Sequence, residues 1–193
     1  MSETKTQRAT FTEMINAPDE EWRIIGEAGL ENQATLPGRV IQHLKLLEGG
    51  SGGFAVDRLT HSLQTATRAA EDGRDDEYVI CALLHDIGDT LGPYNHAEVA
   101  AVILQPFISA QNHWMVAKHA IFQGYYFFHH LGMDRDLRDR YKDHEYYEYT
   151  EEFCFKYDQN SFDPDYKSMT LDDFTPTLEA VLTSREPSIV LSE

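Results

Sequence analysis

The chain has 193 residues, 41% of them hydrophobic, which suits one domain with a sizeable core and is too many for a disordered chain. Its 33 acidic residues against 16 basic ones give a formal charge of −17, a surface that repels phosphate backbones and argues against nucleic-acid binding. It has no run of 18 apolar residues that would span a membrane, and its N-terminus, MSETKTQRATFTEM, resembles neither a signal peptide nor a transit peptide, so a cytoplasmic protein is expected.

In chain order, APDEEWRIIGEAGLE predicts a short N-terminal helix. LPGRVIQHLKLLEGG predicts a second, with Val40, Leu44 and Leu47 on one face, Pro37 and Gly38 at its start and Gly49-Gly50 as a stop. GGSGGF is a flexible break. From Val56 the helical period returns through Leu59, Leu63, Ala66 and Ala70, with Asp57 as a cap and Gly73 as the end. RDDEYVICALLHDIGDTLG is apolar enough to be the central helix. NHAEVAAVILQPF follows with Asn95 as candidate N-cap, and AQNHWMVAKHAIFQGYYFFHHLG gives one or two more helices. HEYYEYTEEFCFKYDQNSFDP is expected to be helical until Pro164, and TLDDFTPTLEAVLTS to be a last helix interrupted near Pro176. The tail REPSIVLSE looks loosely held.

No stretch alternates like a strand for long, so the fold class is all-α. Residues 1–183 are expected to form a single helical domain, with 1–37 as an N-terminal extension packed on it and 184–193 as a C-terminal tail. Cys81 and Cys154 sit in apolar or aromatic segments and look like reduced core residues, although sequence alone leaves a disulfide open.

The nine histidines are unevenly placed. His61 lies in the Leu59–Leu63 helix. His85 and Asp86 end the central one, His96 opens the next, and His119 follows an apolar turn. Asp158 lies between aromatic residues. Each alone is more simply a hydrogen-bonded core histidine or a helix-end cap. Together they would leave several buried imidazoles and carboxylates without partners, at a cost of a few kcal/mol for each polar group, roughly. A shared cation removes that cost. Four imidazoles and two carboxylates suit Fe, Mn or Co better than Ca or Mg, and the absence of C-x-x-C spacing argues against structural zinc. Six ligands exceed the need of one catalytic metal, so two metals bridged by Asp86 fit better.

The ordered set His61, His85-Asp86, His96, His119 and Asp158 resembles the HD-domain superfamily, with the late aspartate on the penultimate helix. The resemblance covers roughly Leu44 to Phe174. It implies a compact helical bundle with a metal site between core helices. Most of that superfamily are phosphohydrolases. A smaller branch consists of mixed-valent diiron oxygenases, myo-inositol oxygenase and the oxygenases that cleave C–P bonds among them. THSLQTATRAA and KYDQNSFD look more like this branch, and closest to small oxygenases of 1-hydroxyphosphonates, one with a trimethylammonium substrate.

That resemblance implies an Fe(II)/Fe(III) pair with O2 as co-substrate. His61, His85, Asp86 and Asp158 would hold one iron, and Asp86, His96 and His119 the other, with Asp86 as bridging ligand. The substrate would be a small organophosphonate, released as phosphate and a carboxylic acid such as glycine betaine. Where myo-inositol oxygenase has a substrate-contacting lysine, this chain has Asp89, and Glu48 stands where that enzyme also has an acid. Both acids favour a cationic substrate over inositol. The cluster FQGYYFF would add cation–π contacts, Arg58 or Lys118 would neutralise a phosphonate, and Gln123 shares the helix face of His119. Glu48, Arg58, Asp89 and Gln123 are therefore the candidate substrate contacts. His43, His113 and His144 are expected to be uninvolved. The rival readings are a metal-dependent phosphohydrolase acting on a nucleotide or small phosphate ester, and a non-enzymatic binding module with a decayed site.

Overall fold

The computed structural model describes residues 8–184, so the tail REPSIVLSE lies outside the described residues. Among these residues every regular element is helical: α1 (Asp19–Ala34), α2 (Leu36–Leu44), α3 (Arg58–Glu71), α4 (Asp76–Leu84), α5 (His96–Leu104), α6 (Ala110–Phe127), α7 (Tyr147–Lys156) and α8 (Leu171–Leu182). Short 3-10 turns extend α2 over Lys45–Leu47 and α6 over Phe128–Leu131, and another follows α7 at Asp158–Asn160. The fold is an all-α bundle, as the sequence predicts.

Helix α4 forms its centre. Every residue from Tyr78 to Leu84 is buried, so this helix is apolar on all sides, as a helix surrounded by others must be. Helices α3, α6 and α8 pack against it, while α5 and α7 both pack on α6. Helix α8 shows the amphipathic version of the same rule: Leu171, Phe174, Leu178 and Leu182 are buried at helical spacing. Cys81 and Cys154 are both buried and free. Helix α1 lies against α2, and none of its side chains is buried.

Local chemistry sets the helix starts. Asp57 accepts from the Thr60 amide at 2.7 Å and so caps α3, and Asp75 does the same for α4 through the Tyr78 amide at 2.8 Å. Thr170 and Asp173 form a reciprocal capping box at α8. Gly73, at φ +77°, ends α3 in the left-handed conformation.

Four local expectations are corrected. Asn95 precedes α5 but makes no cap: its side-chain oxygen lies over Gly92, 2.8 Å from where a Cβ would stand there. The segment after His144 is not helical to Pro164. Helix α7 stops at Lys156 because Asn160 donates from Nδ2 to the carbonyls of Phe155 and Lys156, and the Ser161 hydroxyl takes that of Tyr157. Asp158 therefore sits on the turn after the penultimate helix rather than on it. Finally, α8 runs unbroken through Pro176; the capping box and the buried face offset one missing amide.

Candidate metal centre

The bundle brings four histidines and two aspartates from five places in the chain to one buried point. His61 sits one turn into α3, on the face turned to α4. His85 and Asp86 follow the last residue of α4, so the most buried helix delivers them to the middle of the molecule. His96 is the first residue of α5, and His119 lies midway along α6. His61, His85, Asp86, His119 and Asp158 are all buried, while His96 is half-buried.

Asp86 is the hub. Its Oδ2 lies 3.6 Å from Nε2 of both His61 and His85. Its Oδ1 lies 3.3 Å from Nε2 of both His96 and His119. The imidazoles thus fall into two pairs, one on each oxygen of a single carboxylate. Asp158 Oδ1 joins the first pair, 3.2 Å from His61 Nε2 and 3.8 Å from His85 Nε2. Three overlapping triads, His61–His85–Asp86, His85–His119–Asp158 and Asp86–His96–His119, each keep their ligand atoms within 4.8 Å of one another.

Three rings are oriented from behind. Nδ1 of His61 faces the Ser161 carbonyl at 3.0 Å, that of His85 the Ala82 carbonyl at 2.8 Å, and that of His119 the Val116 carbonyl at 2.7 Å. A carbonyl only accepts, so each Nδ1 carries the proton and each Nε2 presents a lone pair inward. His61 and His85 then aim two lone pairs at each other across 3.1 Å. That arrangement requires a cation, or at least a proton, between them. The His61–His85, His61–Asp158, His96–Asp86 and His119–Asp86 separations, 3.1 to 3.3 Å, match the edges of a coordination polyhedron, about 3.0–3.4 Å when metal–nitrogen bonds are about 2.1 Å, and the remaining contacts of Asp86 Oδ2 and His85 are a few tenths of an ångström longer. The donor set therefore fits first-row transition metals on both sides of Asp86.

The electrostatics agree with a cation-seeking site. Burial pushes His85 down to about 4, so it is neutral and ready to ligate at neutral pH. Burial works against charge on His61 and His119 too, but the hydrogen bonds and charges of Asp158 and Asp86 outweigh it and hold both above their ordinary value. Despite burial, Asp86 is held well below the usual carboxylate range by His85, His119 and His61, and Asp158 is lowered by His61 and His85.

A cavity of about 230 Å³ opens onto this cluster. Phe54, Tyr126, Phe127 and Phe162 give it aromatic walls, and Arg58 and Gln123 supply polar ones. Arg58 donates from Nη1 to Asp86 Oδ2 at 3.3 Å and forms an ion pair with Asp89, Nε to Oδ2 at 3.2 Å, with its guanidinium 5.0 Å above the Phe54 ring. Of the four candidate substrate contacts, Arg58 and Gln123 line the cavity; Asp89 and Glu48 do not. Asp89 instead carries its own cation partner in Arg58, and Glu48 is exposed. Lys118 lies over the Tyr141 ring and away from the cavity wall. From FQGYYFF, Tyr126 and Phe127 reach the wall, whereas Phe122 is core.

Sequence reasoning missed Phe54 and Phe162. Phe162 stacks on the His61 ring at 4.4 Å, and Phe54 stacks on Phe162 at 4.8 Å. The signals were present in the glycine run before Phe54 and in Phe162, four residues after Asp158. Among the remaining histidines, His43 bonds the Thr90 hydroxyl and His144 stacks on Trp114.

No curated protein matches the chain. The stretch from the first residue of α3 into α7 holds His61, His85, Asp86, His96 and His119 of this cluster, leaving Asp158 beyond it. The family model described as "HD domain" matches residues 58–152, so this stretch is similar to a family whose members are typically metal-dependent enzymes, phosphohydrolases among them.

Proposed function

We propose that this protein is a diiron oxygenase that cleaves the C–P bond of a small 1-hydroxyphosphonate bearing an amino or trimethylammonio group. The reaction consumes one O2 and converts the hydroxyl-bearing carbon to a carboxylic acid while phosphorus leaves as phosphate. The observation that carries the reading is the pairing of four Nε2 atoms on opposite oxygens of Asp86, an imidazole-rich frame for two metals. When bound, the iron pair supplies the redox capacity that O2 activation demands.

The protein's own side chains then have separable tasks. Asp86 keeps the two metal positions in register, and Asp158 adds a second negative charge on the His61 side. Arg58 lines the cavity with its Nε fixed by Asp89, so its Nη1 is available to an anionic group once cations occupy Asp86. Phe54, Phe162, Tyr126 and Phe127 exclude water and offer ring faces to a cationic end. At about 230 Å³ the cavity falls below the roughly 300–1,000 Å³ usual for drug-sized ligands, which suits a small phosphonate better than a nucleotide.

The second reading is a metal-dependent phosphohydrolase, favoured by the similarity to the HD domain itself. One experiment separates the two. Protein reconstituted with iron is offered hydroxyphosphonates and phosphate esters with and without O2, and phosphate is measured. Phosphate release from the phosphonate that depends on O2, with about two irons per chain, supports the oxygenase. Release from a phosphate ester in the absence of O2 overturns it in favour of the hydrolase.

A further inference from the structure

Gln123, on the cavity wall one turn beyond His119, has one polar atom used and one unused. Its Nε2 donates to Asp158 Oδ1 at 2.9 Å, which fixes the orientation of the amide, because a flipped amide would set two acceptors against each other. Its Oε1 is buried and has no partner among the described residues. A buried carbonyl left without a donor costs about 1–3 kcal/mol, so native structures that keep one have a use for it. The neighbouring carboxylates, Asp86 and Asp158, are acceptors as well and cannot satisfy it. The cavity that Gln123 lines is where a donor can reach it.

We infer that Gln123 is a specificity-determining residue whose Oε1 accepts an N–H of the substrate, and that the substrate's nitrogen is therefore a protonated primary amine rather than a trimethylammonium group. This rests on the proposed oxygenase function. There, Arg58 and the metals that the histidines and aspartates would hold would take the anionic end of the substrate, which leaves the nitrogen end of the molecule to meet Gln123. A trimethylammonium group has no N–H, would leave Oε1 unpaired, and would press three methyl groups on it. Asp158, bonded to the amide, and the aromatic rings of the cavity wall provide the field in which an ammonium is held.

The test uses a pair of 1-hydroxyphosphonates that differ only in carrying a primary ammonium or a trimethylammonium group, with the iron-loaded protein. Binding is measured by anaerobic calorimetry and turnover by O2-dependent phosphate release. The unsubstituted protein is expected to favour the amine roughly tenfold in both readouts. In Gln123→Met, which keeps the side-chain length and removes both polar atoms, that preference should collapse to near parity with the iron content unchanged. A loss that acts through Asp158 instead lowers both compounds equally and leaves their ratio intact. An unchanged ratio in Gln123→Met, or an unsubstituted protein that prefers the quaternary compound, overturns the assignment while leaving the oxygenase reading standing. If neither compound binds or releases phosphate, the functional reading falls and this assignment falls with it.

Discussion

Gly88 lies in the turn between α4 and α5, two residues after Asp86. A Cβ built there would stand 2.4 Å from the carbonyl oxygen of His96 and 2.8 Å from Cβ of Val99. Ordinary contact begins near 3.4 Å, so Gly88→Ala forces the first turn of α5 away by about 1 Å. The atoms that must yield are backbone and a β-branched carbon, neither of which can swing aside. Overpacking of this kind costs about 1–3 kcal/mol. For a chain of this length that lowers Tm by roughly 2–12 °C. The displaced turn is also the one that carries His96, whose Nε2 is 3.3 Å from Asp86 Oδ1. A shift of the same size takes it out of bonding reach of a metal on that oxygen. Calorimetric melting and metal analysis of the substituted protein should show a lower Tm together with loss of the metal on the His96–His119 side. A Gly88→Ala protein that melts like the parent and retains the full metal complement would show that the close approach of α5 does not hold His96 in place.

Two other substitutions probe separate parts of the molecule. Phe162→Ala removes the ring stacked on both His61 and Phe54; it should weaken phosphonate binding, read as a higher KM, and destabilise by less than the roughly 3–5 kcal/mol of a fully buried phenylalanine, because Phe162 is only half-buried. Glu77 accepts from the Ser109 amide and from Asn112 Nδ2, both at 2.7 Å, and although burial opposes it these bonds hold its carboxyl below its ordinary value. A depressed folded value means stabilisation that is complete above the unfolded value and is lost as pH falls through the folded one. Glu77→Gln keeps an acceptor oxygen but not the charge, so it should cost about 1 kcal/mol at pH 7, and the gap from the parent should close as urea titrations move into the acid range below the ordinary glutamate value.

The fold was legible in the sequence wherever burial imposed a period. The all-apolar α4, the face of α2 through Val40, Leu44 and Leu47, and the Asp57 cap all follow from spacing and side-chain chemistry. The misses share a different cause. Asn95 and Asn160 both have side chains that bond or pack locally, and sequence does not say which neighbour they choose. The cluster around Asp86 was legible as an ordered set of residue types. Its surroundings were less so: Phe54 and Phe162 lie in irregular segments without a period, and the pairing of Arg58 with Asp89 depends on the α4–α5 turn passing the start of α3. Asp89 looked like an acid in search of a cation, and its partner comes from 31 positions earlier in the same chain.

The stretch matched as an HD domain ends at residue 152, but Asp158, the Ser161 carbonyl behind His61 and the Phe162 ring all come later. A ribosome that has reached residue 152 has made the four imidazoles and Asp86, yet nothing to fix the His61 tautomer or roof its ring. From residue 119, where the last of the four imidazoles is made, to residue 162 the emerging chain has these side chains on hand and no finished receptacle, so any cation they take up is enclosed only once Phe162 has been added. A fragment cut at the edge of the matched stretch would be a poor stand-in for the whole.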